Sequence, residues 1–261
     1  MDGNAEETYR VAQMYYVHDE TMESIAKRLG VSRSTVSRIL KQARDTGIVR
    51  ISLAQEVSAT GALAERFAEA FGVRAHVVAM RENVGDFRRL DAVARFGAHL
   101  LDDLVEEGST IGVAWGTTLS ALSTHLRFRP TEGVRLVQLN GAANPSTSGI
   151  PYAGEIMSRM AESFGASMTY FPVPAFFDYA ATREAMWRER SVQRVLDLQQ
   201  ECDLAVFGVG SLRGTMTSHV YTGGYLDRED MESLERSGVV GDVCTVLLRE
   251  DGTWADIDVN R

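Results

Sequence analysis

The chain has 261 residues, 44 % of them hydrophobic and 24 % charged, and a formal net charge of −9. That is the make-up of an ordinary globular protein with room for one small and one medium domain. No apolar run approaches the roughly 18 residues a membrane span needs, and the acidic, polar start MDGNAEETYR is not a secretory signal. Cys202 and Cys244 lie far apart without metal-ligand spacing. Reduced, buried thiols in a cytoplasmic protein, with no metal and no cofactor, are therefore expected.

The first fifty residues carry three short helical patterns. Val11, Met14 and Tyr15 share one face of a helix over Thr8–Val17. Thr21 is placed to cap a second helix with Met22, Ile25, Ala26 and Leu29 on its apolar side. Gly30-Val31-Ser32 then reads as a tight turn, with Ser32 as the cap of a third helix, Arg33–Asp45. That helix buries Val36, Ile39, Leu40 and Ala43 and shows Arg33, Ser34, Thr35, Ser37, Arg38 and Lys41 on its other side. Gly47 ends it, and Ile48–Leu53 reads as a short strand.

Two helices joined by a Gly-centred turn form the helix-turn-helix plan, whose second helix enters the major groove N-terminus first. Charge supports this reading. Residues 27–50 carry seven basic side chains (Lys27, Arg28, Arg33, Arg38, Lys41, Arg44 and Arg50) against one acid, Asp45, whereas residues 51–261 are net −10. A basic patch on an acidic body suits a protein that docks one small face on duplex DNA phosphates. Thr21, Ser32, Arg33, Ser34, Thr35, Ser37, Arg38 and Lys41 are the expected DNA contacts, by phosphate or by base edge.

Residues 55–72 contain a helix with Leu63, Phe67, Ala70 and Phe71 on one side. It either packs on the body or links the parts and contributes to a dimer. A dimer would suit a recognition helix that covers a single half-site. Beyond it, strands and helices alternate. Strands are predicted at AHVVAM (75–80), TIGVA (110–114), VRLVQLNG (134–141), DLAVFGVG (203–210) and VVGDVCTVLL (239–248), with MTYFPVP (168–174) extended. Helices are predicted at Asp86–Glu107, Thr117–Leu126, Pro151–Phe164, Arg183–Gln200 and Asp227–Ser237. The alternation predicts an α/β fold with a mostly parallel sheet covered on both faces, its ligand just past the carboxyl ends of the strands. The domains are expected at 1–54, binding DNA, and 55–261, binding an effector and assembling the oligomer.

Three post-strand loops are unusual. In Ile111–Thr118, Gly116 lets backbone approach a ligand, and Thr117 and Thr118 offer hydroxyls and amides suited to a phosphate. Gln138-Leu-Asn140-Gly141 offers amides for sugar hydroxyls, and Phe207–Leu212, with Gly208, Gly210 and Ser211, is glycine-rich directly after a strand. Alone, each is equally a capped or polar turn. Together on one sheet edge they point to a small polyol phosphate.

These segments resemble the SorC family of sugar-responsive regulators. TMESIAKRLGVSRSTVSRILKQARDTGIVRISL is similar to that family's DNA-binding head. GVAWGTTL, LVQLNGA, LAVFGVGSL, YTGGYLDREDMESLERSGVVGDVC and TWADIDVNR resemble, in family order, its sugar-binding domain of the deoxyribonucleoside and central glycolytic regulator type. The resemblance implies a fold related to sugar-phosphate isomerases and CoA transferases, homodimers or homotetramers, an operator of double-stranded DNA, and a phosphorylated sugar as effector. It assigns the phosphate to Gly116–Thr118 and the sugar to the Gln138–Asn140 and Gly208–Ser211 loops. Asp242 is a candidate for effector hydroxyls.

Two departures matter. In the deoxyribose-phosphate-responsive branch a lysine follows the QL of the second loop and forms an imine. Asn140 stands there in this sequence, and Lys27 and Lys41 are its only lysines. Reversible, hydrogen-bonded binding is therefore expected. Family members also continue past DVNR with a further segment, so a chain ending at Arg261 is expected to carry an incomplete pocket. The alternatives are a sugar-phosphate enzyme and an effector-blind DNA-binding protein. The enzyme needs a poised base, yet His76, His99, His125 and His219 do not group with acids in a motif. A covalent, imine-forming aldolase is excluded by the missing lysine.

Overall fold

The computed structural model describes residues 3–49, 59–81, 83–145 and 150–257. They form two compact units, Met1–Val77 and Val78–Arg261.

Among the described residues the first unit holds four helices: α1 (Gly3–Tyr16), α2 (Met22–Leu29), α3 (Arg33–Asp45) and α4 (Ala59–Phe71). Thr21 caps α2 by accepting the Ser24 amide at 3.2 Å. Gly30 then takes φ 66°, the left-handed turn that only glycine adopts without strain. Val11, Ala12, Ile25, Ala26, Val36, Leu40 and Ala43 from α1 to α3 close a small core. Residues 48 and 49 are not strand, and the rest of the strand expected at Ile48–Leu53 lies outside the described residues. On α4, Leu63, Phe67 and Phe71 are exposed.

The second unit opens with α5 (Asp86–Leu104), β1 (Thr110–Val113), α6 (Thr117–Ser123), β2 (Arg135–Gln138), α7 (Ile150–Phe164) and β3 (Ser167–Thr169). It continues with α8 (Ala180–Met186), α9 (Arg190–Gln200), β4 (Leu204–Val206), β5 (Val209–Ser211), α10 (His219–Thr222), α11 (Arg228–Arg236), β6 (Val239–Val243) and β7 (Val246–Arg249). Four strands make a parallel sheet in the order β3-β2-β1-β4. Strand alternation assigns its two faces. Ile111, Val113 and Leu136 face the main core with Ala98 of α5, Leu119 of α6 and Met160 and Phe164 of α7. Val137 turns to the other side, against Phe171, Val173 and the α9 residues Val192 and Val195. Both faces are covered, which is why β1 is buried at every residue.

Several predicted elements need correction. The run at 75–80 is not a strand; it pairs with no strand among the described residues, and His76, Ala79 and Met80 are exposed. The strand expected over 203–210 breaks at Phe207-Gly208, so that β4 ends the parallel sheet and β5 begins a second one. The helix expected over 183–200 is two helices, because Glu189 is extended (φ −69°, ψ 135°) while Trp187 packs its ring on Phe171 and Phe177. The single last strand is a hairpin, and β5-β6-β7 form an antiparallel sheet. Its turn, Cys244-Thr245, has φ 50° and φ 67°. Two consecutive positive φ values are the mark of the I′ hairpin turn, which Asn-Gly normally supplies. A β-branched threonine there is strained by about 1–3 kcal/mol.

Replacing Cys244-Thr245 with Asn-Gly (C244N with T245G) should raise stability by about 1–2 kcal/mol, read as a higher midpoint in urea with an unchanged slope. A lower midpoint would show that the turn is not of this type.

Candidate functional site

On the head, Arg33, Ser34, Ser37, Arg38 and Lys41 are exposed on the side of α3 opposite its buried residues, with Thr35 half-buried at the edge. Ser32 caps the helix. Its hydroxyl accepts the Thr35 amide at 3.1 Å and lies 2.7 Å from the Ser34 hydroxyl and 2.9 Å from that of Thr35. Thr21 and Ser32, both expected at DNA, are thus engaged as helix caps while still exposed. Two other basic residues of the patch are occupied: Arg44 donates to the Tyr16 hydroxyl at 2.8 Å, and Arg28 pairs with Glu20 at 2.8 Å. Arg33, Arg38 and Lys41 form no ion pair among the described residues, and they remain the cations of that face.

In the body, the chain leaves β1 toward β2 and β3, then returns to place β4 on the other side of β1. Such a reversal opens a crevice beyond the carboxyl ends of the two diverging strands. A cavity of about 130 Å³ lies there. Gly116 borders it from the loop after β1, Thr117 and Thr118 from the start of α6, and Asn140 from the loop after β2. Gly208, Gly210 and Ser211 border it after β4, and Asp242 comes from β6. Eight of the ten residues expected to contact an effector therefore share one cavity.

Gln138 and Gly141 do not line it. The Gln138 carboxamide is buried at the end of β2, where it donates to the Asn140 carbonyl at 2.6 Å and accepts the Phe171 amide at 3.4 Å. The Gly141 carbonyl accepts the Trp115 indole N–H at 2.8 Å. Both residues hold the loop instead of facing the cavity. Asn140 accepts the Trp115 amide at 3.4 Å through Oδ1, so the carboxamide is turned by the loop that carries Thr117. Trp115 in turn stacks on Tyr225 at 4.9 Å between ring centres. Sequence reasoning missed Ser218, Cys244 and Thr245, which also border the cavity. Ser218 carried one readable signal, an N-cap serine: it accepts the Val220 amide at 3.4 Å at the start of α10.

The electrostatics are those of a neutral donor site with one acid. No lysine, arginine or histidine lines the cavity among the described residues. Asp242 is 5 % exposed, and burial pushes its carboxyl above the ordinary range while the Thr245 amide and the Tyr221 and Ser218 hydroxyls pull it back. Its Oδ1 has no hydrogen-bond partner. Burial beside that acid raises the Cys244 thiol to about 11, so it is not a thiolate nucleophile at neutral pH. Cys202 and Cys244 are free and half-buried rather than fully buried. His219 lies against the Tyr152 ring at 4.5 Å, and burial lowers its pKa, which keeps the imidazole neutral. His125 does meet an acid in space, Asp91 at 2.7 Å, but the pair ties α5 to the end of α6 and neither residue lines the cavity. Among the described residues no cluster of His, Cys, Asp and Glu can hold a metal ion, and no helix is long and apolar enough to cross a membrane.

A helix-turn-helix head carried with an α/β unit that has a polar cavity at its strand-order reversal defines a ligand-responsive DNA-binding regulator. Comparison with known proteins makes the assignment specific. Residues 55–261 match the family described as "Putative sugar-binding domain", and residues 6–46 match sigma-70 region 4. The chain is 29 % identical over 251 residues to the deoxyribonucleoside regulator of Bacillus subtilis, covering 95 % of this chain and 78 % of the relative. A domain of a sugar-binding transcriptional regulator from Arthrobacter aurescens matches with TM-score 0.70 and 46 % identity over 79 % of both chains. The full-length sorbitol operon regulator SorC of Klebsiella pneumoniae matches with TM-score 0.73 and 26 % identity over 99 % of this chain and 82 % of that one. The chain belongs to the SorC family of sugar-binding transcriptional regulators.

The buried acid gives a stability prediction with a definite sign. A carboxyl whose folded pKa is raised favours folding when protonated and opposes it as pH rises from the unfolded value, near 3.8, through the folded one. Asp242→Asn should therefore melt with the parent near pH 4 and about 2–4 °C above it by pH 8. A variant less stable at pH 8 would contradict this reading of the site.

Proposed function

We propose that the chain binds duplex operator DNA through α3 and that the cavity between β1 and β4 takes a phosphorylated sugar reversibly, without a covalent bond. The observation that carries this reading is the meeting of three loops distant in sequence, which bring Gly116 with Thr117 and Thr118, Asn140, and Gly208 and Gly210 with Ser211 to one crevice. The phosphate end belongs at Gly116–Thr118, where Thr117 and Thr118 bring hydroxyls and backbone amides. The hydroxyl end belongs at Asp242, since a carboxylate repels a phosphate and accepts a hydrogen bond from a hydroxyl. Asn140 stands beside them as an amide, and a carboxamide does not form an imine with a sugar carbonyl.

The working unit is a homodimer or homotetramer, because one recognition helix covers one half-site. The functional division falls at 1–54 and 55–261, with α4 as the connector between the DNA-reading and sugar-reading parts. Control then follows from differential affinity: a sugar phosphate that favours one arrangement of the two heads changes operator affinity by the ratio of its affinities for the two arrangements. The relatives named for sorbitol and deoxyribonucleosides support a sugar or nucleoside catabolic gene set as the target.

Operator binding measured against a panel of triose to hexose phosphates should change with at least one of them by about fivefold or more. A flat response across the panel removes the sensing role and leaves a DNA-binding protein. Separately, Arg38→Ala with Lys41→Ala should weaken operator binding and lower the slope of log affinity against log salt by about 1 to 2. An unchanged slope would place the DNA elsewhere.

A further inference from the structure

α5 shows two apolar stripes where a surface helix has one. Ala94, Ala98 and Leu101 are its buried side. Leu90, a turn before them, borders the cavity, and Gly97 lies so close to α6 that a Cβ there would stand 3.1 Å from Leu122. The second stripe is Val93, Phe96, Leu100 and Leu104, spaced i, i+3, i+7 and i+11 so that all four share a face. Val93, Phe96 and Leu104 are 48 %, 41 % and 49 % exposed, and Leu100 is half-buried. Apolar residues scattered over a surface need no explanation. A continuous stripe along a helix about 28 Å long marks a surface that meets a partner.

The charges beside the stripe say which partner. Arg89 lies at its N-terminal end, Asp103 at its C-terminal end and Glu107 just beyond the helix, and all three are exposed. Arg89 keeps half of its side chain exposed while pairing with Asp86 at 3.7 Å. A cation in the first turn and an acid in the last oppose the helix's own dipole. Beside an antiparallel copy of the same helix both are well placed, the cation at the copy's negative end and the acids at its positive end. A partner of one charge sign would be repelled at one end of this stripe. A second copy, turned end for end, is not.

We propose that the outer face of α5 is a two-fold interface with a second copy of this chain, the two helices antiparallel and crossing at the level of residue 98. Phe96 then packs on the partner's Leu100, Val93 on the partner's Leu104, and Arg89 stands opposite the partner's Asp103 and Glu107. The two-fold repeats each contact, as an isologous interface requires. This rests on the reading of the working unit as a homo-oligomer and names the surface that builds it. The interface and the cavity wall then share one helix, through its outer stripe and through Leu90.

Sedimentation of the full chain at low salt, without DNA or sugar, tests the face. Arg89→Glu sets like charges together at both ends of the two-fold, and so does Asp103→Lys with Glu107→Lys. Each should weaken self-association about tenfold or more. Mixed in equal amounts, the two variants should recover the parent's association, because their heterodimer again sets opposite charges at both ends. Recovery also shows that both variants are folded. Val93→Ser with Leu104→Ser removes two exposed apolar side chains and should weaken association as well. A parent that is monomeric throughout overturns the homo-oligomer reading and this proposal with it. A variant that self-associates as strongly as the parent overturns the α5 interface alone. Weakened charge variants that fail to recover on mixing overturn the antiparallel two-fold.

Discussion

β1 is hydrogen-bonded to β2 on one side and β4 on the other, and the chain leaves these two pairs in opposite directions. No connection can then bridge the carboxyl ends of β1 and β4, and a crevice opens there by topology alone. The rest of the site hangs on that gap. The loop after β1 brings Thr117 and Thr118 to it, and the chain leaving β4 brings Gly208, Gly210 and Ser211. The antiparallel hairpin adds Asp242 because Gly210 pairs with it directly. Trp115, bonded to the Gly141 carbonyl and to Asn140, locks the first two loops together. Hydroxyls, an amide and one buried carboxyl are thereby fixed around the gap by strand ends and their hydrogen bonds.

The site departs locally from what stability would favour. A carboxyl is buried without a cation, and the turn that carries Cys244 and Thr245 holds two non-glycine residues at positive φ. Both features lie on the wall of one cavity. Strain and unpaired charge concentrated where a ligand would sit are what a binding function maintains against stability. The surrounding core supplies the margin: Ile111, Leu136, Met160 and Phe164 are fully buried around the same strands.

Much of this was legible in the residues. The α3 boundaries follow from a serine cap and an apolar period, and Ser32 caps it as expected. The glycine-plus-hydroxyl loops marked the cavity because close backbone approach and hydrogen bonding need those residue types. What stayed hidden depended on partners far along the chain. An amide at Gln138 reads the same whether it meets a sugar or the Phe171 backbone, and only the fold decides. The hairpin at 239–249 read as one strand because Cys-Thr replaces the Asn-Gly that announces such a turn. With the hairpin unseen, Thr245 had no reason to stand beside Asp242. The apolar run at 75–80 has the pattern of a strand, yet no strand of the described residues pairs with it. The helix break at Trp187–Glu189 carries neither glycine nor proline, so local sequence gave no sign of it.

The proposed sensing role requires an anionic sugar in the gap between β1 and β4 with its phosphate against neutral donors. A crystal structure of the protein grown with a sugar phosphate that alters operator binding tests this directly. Density for the phosphate within hydrogen-bond distance of Thr117 and Thr118, with a hydroxyl at Asp242 Oδ1, is the predicted result. A sugar phosphate bound elsewhere, with that gap packed shut by its own side chains, would contradict it.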